Sequence, residues 1–187
     1  MRQTLIATVE NKPGVLNRVA SLFRRRNFNI DSLNVGRTEL AEVSRMTIVV
    51  DSRDTEARLV EANLYKLVNV IDVQDVTDQP AVFRELALIK VAAEPEKRTE
   101  IISLANVFKA KIVDVGAESL IMQITASEDR VDSLLELLRP HGIIEIVRTG
   151  HMAMMRGTAH GVRHTPGAGP GSNGHGDGSG NGHVTES

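Results

Sequence analysis

Residues 5–23 read LIATVENKPGVLNRVASLF, and the spacing of the apolar residues changes once within this stretch. Leu5, Ala7 and Val9 recur at every second position, which is typical of one face of a β-strand. From Val15 to Phe23 the apolar residues recur at three- and four-residue intervals, which is typical of a helix that is buried on one side. The stretch therefore predicts a strand that is followed directly by a helix.

The same two periods alternate through the rest of the first half. Strands are predicted around residues 28–35, 46–50 and 70–76, and a helix is predicted over 59–67 that Asp54 is suited to cap. In the first of these strands the apolar period slips by one residue at Asp31-Ser32, which indicates a β-bulge. The predicted order of elements is βαββαβ.

After Pro80 this order begins again. The pattern predicts a strand over 86–91, a helix opened by Pro95, two strands that flank Gly116, a helix ended by Pro140, and a closing strand that contains Ile144 and Ile146. A βαββαβ unit with right-handed crossovers closes as a ferredoxin-like sandwich. The predicted fold class is α+β, with two tandem ferredoxin-like domains. Each unit leaves one sheet face without helices, and pairing of subunits would cover that face.

The predicted boundaries follow from these patterns and from the glycine content. Residues 1–78 form the first domain, 79–83 a linker, 84–157 the second domain and 158–187 a tail. Ten of the fifteen glycines lie between Gly157 and Ser187, where there is too little apolar surface to offset the entropy of ordering. The tail is therefore predicted to be disordered. Its histidines lack a helix or sheet to hold them, so we expect no metal site there.

Composition excludes several classes of protein. The 187 residues carry a formal net charge of -2, so there is no basic excess that would suit a nucleic acid. The chain has no cysteine, which excludes disulfides and thiol nucleophiles. No long apolar run and no signal sequence are visible, so we expect a cytoplasmic protein without a membrane partner. No nucleophile, base and orienting group share a neighbourhood, so we expect no catalytic residues and no enzyme activity in this chain.

The loop between the first strand and the first helix has the chemistry of an anion site. Asn11 lies near the predicted helix start, Pro13 has no amide hydrogen, and Gly14 permits close approach to the backbone. Free amides and the helix dipole at such an end attract a carboxylate. Ordinary turn and capping chemistry is the alternative for this loop. Asn27 and Asn29 open the next strand, where Asn29 could satisfy an ammonium or a carboxylate group.

Three segments of the first half carry a family resemblance: Glu10-Asn11-Lys12-Pro13-Gly14-Val15-Leu16-Asn17-Arg18-Val19, Arg26-Asn27-Phe28-Asn29-Ile30-Asp31-Ser32-Leu33 and Ser44-Arg45-Met46-Thr47-Ile48. They resemble the ACT domain of the regulatory small subunits of acetohydroxyacid (acetolactate) synthases. The resemblance continues through Arg84-Glu85-Leu86-Ala87-Leu88-Ile89-Lys90-Val91 and Ile112-Val113-Asp114-Val115, and it covers the chain up to about Gly157.

This resemblance implies a regulatory role in the biosynthesis of branched-chain amino acids. Such subunits bind and activate a catalytic subunit and commonly mediate feedback inhibition by valine or a related amino acid. The chain itself would hold no cofactor, since thiamine diphosphate, Mg and FAD belong to the catalytic subunit. A freestanding ACT-domain amino-acid sensor that acts on another partner is the alternative.

The resemblance also implies where the effector binds. The site would lie at the interface of an ACT-domain homodimer, formed by Asn11, Gly14, Val15 and Leu16 of one chain and by Asn29 and Ile30 of its neighbour. The side chains of Leu16 and Ile30 would suit an aliphatic effector. Core positions are the alternative for Val15 and Ile30.

Two further segments lead to separate expectations. In the second half, Ala92-Ala93-Glu94-Pro95-Glu96 replaces the loop and places two carboxylates where an anion would bind, so we predict one type of effector site, in the first domain only. The run Arg24-Arg25-Arg26 suits the C-terminal end of the helix dipole. A solvated helix end, a contact to the catalytic subunit and a phosphate-bearing ligand all remain open for this run.

Overall fold

The computed structural model describes residues 2–51 and 57–157. The first half contains β1 (Arg2–Glu10), α1 (Val15–Arg25), β2 (Asn29–Arg37), β3 (Val43–Asp51), α2 (Ala57–Leu64) and β4 (Val70–Asp75). The second half contains β5 (Ala81–Ala92), α3 (Pro95–Phe108), β6 (Lys111–Val115), β7 (Ser119–Ala126), α4 (Glu128–Leu138), a 3-10 turn (Arg139–His141), β8 (Ile143–Arg148) and β9 (Met152–Met155). The capping role of Asp54 and the disorder of the tail stay predictions, because both lie outside the described residues.

Each half forms an antiparallel sheet with two helices on one face. The strand order is β2-β3-β1-β4 in the first sheet and β6-β7-β5-β8 in the second. The two central strands of each sheet are the first and third strands of the βαββαβ order. The prediction of an α+β fold with two ferredoxin-like units is thereby confirmed.

The apolar periods seen in the sequence form the two cores. In the first domain Leu5, Ala7 and Val9 lie in one buried cluster with Val19 and Phe23 of α1. The corresponding cluster in the second domain contains Ala87, Ile89 and Val91 of β5, Ile101 and Ala105 of α3, and Val131, Leu134 and Leu138 of α4. Because each sheet buries one face under its own helices, each domain has its own hydrophobic core.

The predicted irregularity in β2 is confirmed. The register of β2 against β3 shifts between Ile30 and Ser32, so Asp31 is the extra residue of a β-bulge. Ile30 pairs with Val50 before the shift. The bulge separates the first two residues of β2 from the rest of the strand, which runs on to Arg37.

The main difference from the sequence prediction concerns the residues that join the domains. Residues 81–83, predicted as a linker, are the beginning of β5, and they pair with β9 to form a two-stranded ribbon. Ala153 of this ribbon is buried together with Ile6 and Val76 of the first domain. The pairing was not visible in the sequence because its two segments are far apart along the chain and each has only four residues.

The ribbon covers part of the first sheet on the face opposite its helices. The sequence pattern predicts that a second subunit covers this face, whereas Ala81, Phe83 and Met155 of the same chain pack against the cluster around Ile6. On the corresponding face of the second sheet, Leu88 and Val147 are exposed. Within residues 2–51 and 57–157, no helix is long and apolar enough to cross a membrane.

Candidate functional site

The loop before α1 is held in place by Asn11. The backbone amide of Asn11 donates to the carbonyl oxygen of Glu42 at 2.7 Å, and its side-chain Nδ2 donates to the carbonyl oxygen of Ala41 at 2.9 Å. Both acceptors lie in the connection between β2 and β3. Asn11 therefore fixes the loop against this connection, and its side chain does not cap α1.

Gly14 gives the loop its open shape. It is the N-cap residue of α1, and its φ of 83° lies in the left-handed region that favours glycine. No side chain caps the helix, and the amides of Leu16 and Asn17 have no backbone partner among the described residues. A Cβ atom built on Gly14 would have open space around it. The end of α1 is thus an accessible pair of amide donors at the positive end of a helix dipole.

The two apolar residues that follow have different environments. Val15 is buried in the core of the first domain, so its side chain takes the core position that is the alternative to a ligand contact. Leu16 is 46% exposed and lies beside the loop. Of these two side chains, only that of Leu16 is accessible to a ligand in a single chain.

Asn29 and Ile30 are the first two residues of β2. Asn29 is exposed, and its Nδ2 donates to Oδ1 of Asp31 at 2.9 Å. Ile30 is half-buried and packs against the core of the first domain. The structure thus places a polar group at the surface and an aliphatic group partly in the core.

The two halves of the implied site lie at opposite ends of the first sheet. Asn29 pairs with Asp51, whereas Glu10, the residue before Asn11, pairs with Val43. Residues 43 and 51 are the two ends of β3, which are roughly 26 Å apart at about 3.3 Å per residue. A single chain therefore does not bring Asn11 and Asn29 together.

The charge at the end of β1 is balanced locally. Asn69 donates a side-chain hydrogen bond to Glu10 and Lys12 lies 3.1 Å from its carboxylate, and these contacts hold the pKa of Glu10 below its usual value. Asn69 in turn accepts a hydrogen bond from Arg18. The loop that begins at Asn11 thus starts from an ion pair and an amide bridge that join β1, α1 and the segment before β4.

The corresponding loop in the second domain is occupied by a side chain. The guanidinium of Arg98 donates to the carbonyl oxygens of Ala93, Gly116 and Ala117. Glu94 is the N-cap residue of α3 and lies 3.6 Å from Lys97. This geometry differs from the open loop of the first domain, and the expectation of one effector site stays a prediction.

A polar network that the sequence did not indicate connects Asn29 to the second domain. Asp31 Oδ2 lies 3.7 Å from Nε of Arg2, and Nη1 of Arg2 donates to Glu128 in the first turn of α4. Nε2 of His151 lies 2.9 Å from the same carboxylate. Burial raises the pKa of Glu128, but the hydrogen bond from Arg2 and the electrostatic effect of His151 outweigh it, so the pKa lies below its usual value.

The bulge in β2 also contacts the second domain directly. The backbone amide of His151 donates to Oγ of Ser32 at 3.0 Å, and a Cβ atom on Gly150 would collide with that oxygen. No pattern in the sequence could have identified these contacts, since they join residues that are far apart along the chain. They place the residues after Ile30 against the segment between β8 and β9.

The basic run lies where the sequence predicts. Arg24 and Arg25 occupy the last turn of α1, and Arg26 is its C-cap. A groove of about 600 Å³ between α1 and α2 is lined by Arg18, Leu22, Arg25, Arg26, Asn63, Lys66 and Leu67. Within the part of the chain that is described, no group of three His, Asp or Glu side chains is placed to hold a metal ion.

Comparisons with known proteins agree with one another. Residues 84–157 match the model of the small subunit of acetolactate synthase, and residues 5–72 match that of the ACT domain found in such small subunits. A probable acetolactate synthase small subunit from Archaeoglobus fulgidus is 52% identical over 157 residues, which cover 84% of this chain and 98% of that protein. The acetolactate synthase small subunit of Bacillus subtilis is 45% identical over 159 residues, which cover 84% and 92% of the two chains.

A solved structure extends this agreement to the arrangement of the backbone. The crystal structure of the acetolactate synthase small subunit from Thermotoga maritima superimposes with a TM-score of 0.78 at 40% sequence identity. The match covers 83% of this chain and 98% of that chain. The two family models together cover residues 5–72 and 84–157, which include most of both domains.

Proposed function

This chain belongs to the family of acetolactate synthase small subunits, and from this premise we propose that it activates a catalytic subunit and mediates feedback inhibition by valine or a related amino acid. Thiamine diphosphate, Mg and FAD would be bound by the catalytic subunit. The observation that carries the effector part of the proposal is the uncapped end of α1 behind Gly14, with its free amides at Leu16 and Asn17.

The effector carboxylate would bind at this end of α1. Two amide donors and the dipole of an eleven-residue helix favour a negative group there. The exposed side chain of Leu16 offers an aliphatic contact beside the amides. A small branched amino acid combines these two features, since its carboxylate and its apolar side chain are only a few bonds apart.

A second subunit would complete the site through the β2 edge. β2 is an edge strand, so one row of its backbone groups is not paired within the described sheet. Two-fold antiparallel pairing of two such strands, centred on Leu33, would place Asn29 of the partner subunit beside Arg37. Arg37 pairs with Ser44, at the same end of the sheet as the Asn11 loop. This geometry supports a dimeric site, because it brings Asn29 of the partner subunit to the end of the sheet at which the Asn11 loop lies.

The network behind Asn29 offers a physical link from the effector to the rest of the subunit. An effector that takes the amide of Asn29 competes with its hydrogen bond to Asp31. Asp31 in turn contacts Arg2, which binds Glu128 of the second domain. Coupling free energies of about 1–3 kcal/mol, roughly 5- to 150-fold in affinity, are typical of allosteric proteins. The loss of a few hydrogen bonds or ion pairs in this network would change the free energy by a similar amount.

The test is the rate of acetolactate formation by the purified catalytic subunit, with and without this chain, across a valine titration. We expect the chain to raise the rate and valine to reverse the increase. A rate that does not change at any ratio of the two proteins would contradict the proposal. If the chain nevertheless bound valine, the freestanding sensor would be the better description.

A further inference from the structure

A cavity of about 300 Å³ lies between the ribbon and the first sheet, and its lining contains none of the residues proposed to bind the effector. Its lining includes Arg37, Arg45 and Arg84, together with Val82, Met152 and Met154. The arginines come from β2, β3 and β5, and the apolar residues come from the two strands of the ribbon. The cavity therefore exists only because the ribbon packs on the first domain.

The cavity carries positive charge without a matching acidic group in its lining. None of the three arginines has a carboxylate within ion-pair distance among the described residues. Nη2 of Arg45 donates to the carbonyl oxygen of Ala153 at 3.0 Å, and Nη1 of Arg84 donates to that of Phe83 at 2.7 Å. Each of these guanidiniums keeps further donors for another acceptor, because arginine has five N–H groups.

Arg45 is the central group of this cavity. It is half-buried, and burial lowers its pKa, while Glu39 attracts it from beyond ion-pair distance. A half-buried cation whose one bonded acceptor is a backbone carbonyl gains more from a bound anion than a fully solvated one does. The hydrogen bond from Arg45 to Ala153 also ties the ribbon to β3. The backbone amide of Ala153 makes a second such bond, to Oγ1 of Thr47 at 3.4 Å.

The rest of the lining selects the kind of anion. Val82, Met152 and Met154 offer apolar contacts, which a bare inorganic anion does not use. An α-ammonium group would meet three cations and no carboxylate, so an amino acid is disfavoured here. A carboxylate with a short aliphatic chain and no amino group fits both the charge and the volume.

We propose that this cavity is a second ligand site, which binds a small aliphatic carboxylate without an amino group, such as a 2-oxo acid, against Arg45 and the ribbon. The proposal rests on the lining of the cavity, which contains none of the proposed effector residues. In the proposed dimer, Arg37 of this lining would lie beside Asn29 of the partner subunit. Because the ligand would contact β3 and β9 together, its binding would stabilise the contact between the domains.

The test uses two ligands that have the same carbon skeleton. Binding of 3-methyl-2-oxobutanoate and of valine to the full chain is measured by calorimetry and by ligand-observed saturation-transfer NMR. The variants are Arg45→Gln, Met154→Glu and, as a matched control on α1, Arg25→Gln. Met154 is 66% exposed, so its replacement leaves the core unchanged and adds a repelling carboxylate at the cavity.

We expect the oxo acid to bind the wild type and to bind about tenfold or more weakly to the Arg45 and Met154 variants, as loss of a charged hydrogen bond implies. The Arg25 variant and Asn29→Ala should bind it like the wild type, while valine binding should be insensitive to Arg45→Gln. No binding of the oxo acid at millimolar concentration, or equal weakening in the Arg25 variant, would overturn the proposal. The proposal would also be overturned if Arg45→Gln weakened only the association with the catalytic subunit. The cavity would then bind a segment of a partner protein and not a small carboxylate.

Discussion

The side-chain amide of Asn29 lies 2.9 Å from Oδ1 of Asp31, the extra residue of the β-bulge in β2. This contact is the first of a series that continues through Arg2 to Glu128 in the second domain. The bulge thus positions one carboxylate to meet both a proposed effector residue and the cation that joins the domains. An effector at Asn29 would therefore act at a point that is already connected to the second domain.

Replacement of Asn29 by Ala is expected to abolish the response to valine and to leave association with the catalytic subunit intact. The side chain is exposed and contributes little to the core, so the fold should persist. Activity with and without valine and co-purification with the catalytic subunit are the measurements. Asn106→Ala, at an exposed position of α3, is the matched control and should behave like the wild type. Persistent valine sensitivity in the Asn29 variant would place the effector elsewhere.

Replacement of Gly14 by Ala should lower both stability and effector affinity. The positive φ of Gly14 costs about 1–2 kcal/mol for a residue with a Cβ atom, and that atom would project into the open space before α1. Urea unfolding and a valine titration measure the two effects. In the urea experiment Gly36→Ala is the control, since its Cβ also meets open space but its φ is not in the left-handed region. Equal behaviour of the two variants would contradict this reading of the loop.

Arg148 is expected to be required for the stability of the second domain. Its guanidinium binds both Glu85, which is 2% exposed, and Asp132 of α4. Burial lowers the pKa of Arg148, but the bonds to these two carboxylates outweigh burial and raise it. Arg148→Met leaves the Glu85 carboxylate buried without its cation, which costs about 3–5 kcal/mol.

Urea unfolding of the Arg148 variant is compared with that of Arg139→Met. Arg139 is an exposed residue of the 3-10 turn, and its replacement should change the free energy of unfolding by less than about 0.5 kcal/mol. A small effect in both variants would show that the ion pair does not contribute. Adding Glu85→Leu to the Arg148 variant should recover part of the loss, because no buried charge then remains.

The contact of Glu128 with Arg2 and His151 predicts an acid-sensitive link between the domains. The pKa of Glu128 is below its usual value in the folded state, so its contribution to stability is present above about pH 4.3, the unfolded value. That contribution is lost as the pH falls through the lower folded value. The difference in unfolding free energy between the wild type and Glu128→Gln should be present at about pH 5 and shrink as the pH falls further. A difference that grows below about pH 5 would contradict this assignment.

Replacement of Ala153 by Asp should separate the ribbon from the first domain. Ala153 is 5% exposed and packs with Ile6 and Val76, so a carboxylate there is buried without a partner and costs about 2 kcal/mol or more. Urea unfolding of this variant is compared with that of Met154→Asp, which changes an exposed neighbour on the same strand. We expect a large loss of stability in Ala153→Asp and a small one in Met154→Asp. Similar losses in the two variants would show that the ribbon does not stabilise the first domain.

Much of the fold was predictable because its signals are local. The two-residue period of Leu5, Ala7 and Val9, the helical spacing that follows and the slip at Asp31 each depend on neighbouring residues, and each agrees with the structure. The strand β9 gave no comparable signal. Its four residues are too few to define a period, and its partner Ala81–Arg84 lies far away in sequence.

The candidate site was predictable only in part. The residues of the loop predict that Gly14 lies at the start of α1 and that the helix has free amides there. In the structure Gly14 is the N-cap residue of α1, and no side chain caps the helix. The sequence suggested that Asn11 lies near the helix start, whereas its side chain binds the connection before β3. Which partner such an amide chooses depends on the elements that pack nearby, and no local rule specifies them.

By itself, the sequence determined the order of elements, the two repeated domains and the chemistry of the loop before α1, because strand and helix periods and turn residues act over a few positions. Only the tertiary structure decided that Asn11 and Asn29 lie at opposite ends of one sheet, that the ribbon covers Ile6, and that Asp31, Arg2 and Glu128 meet across the domains. These relationships join residues that are distant along the chain, and they are fixed by strand register and by the packing of one domain on the other.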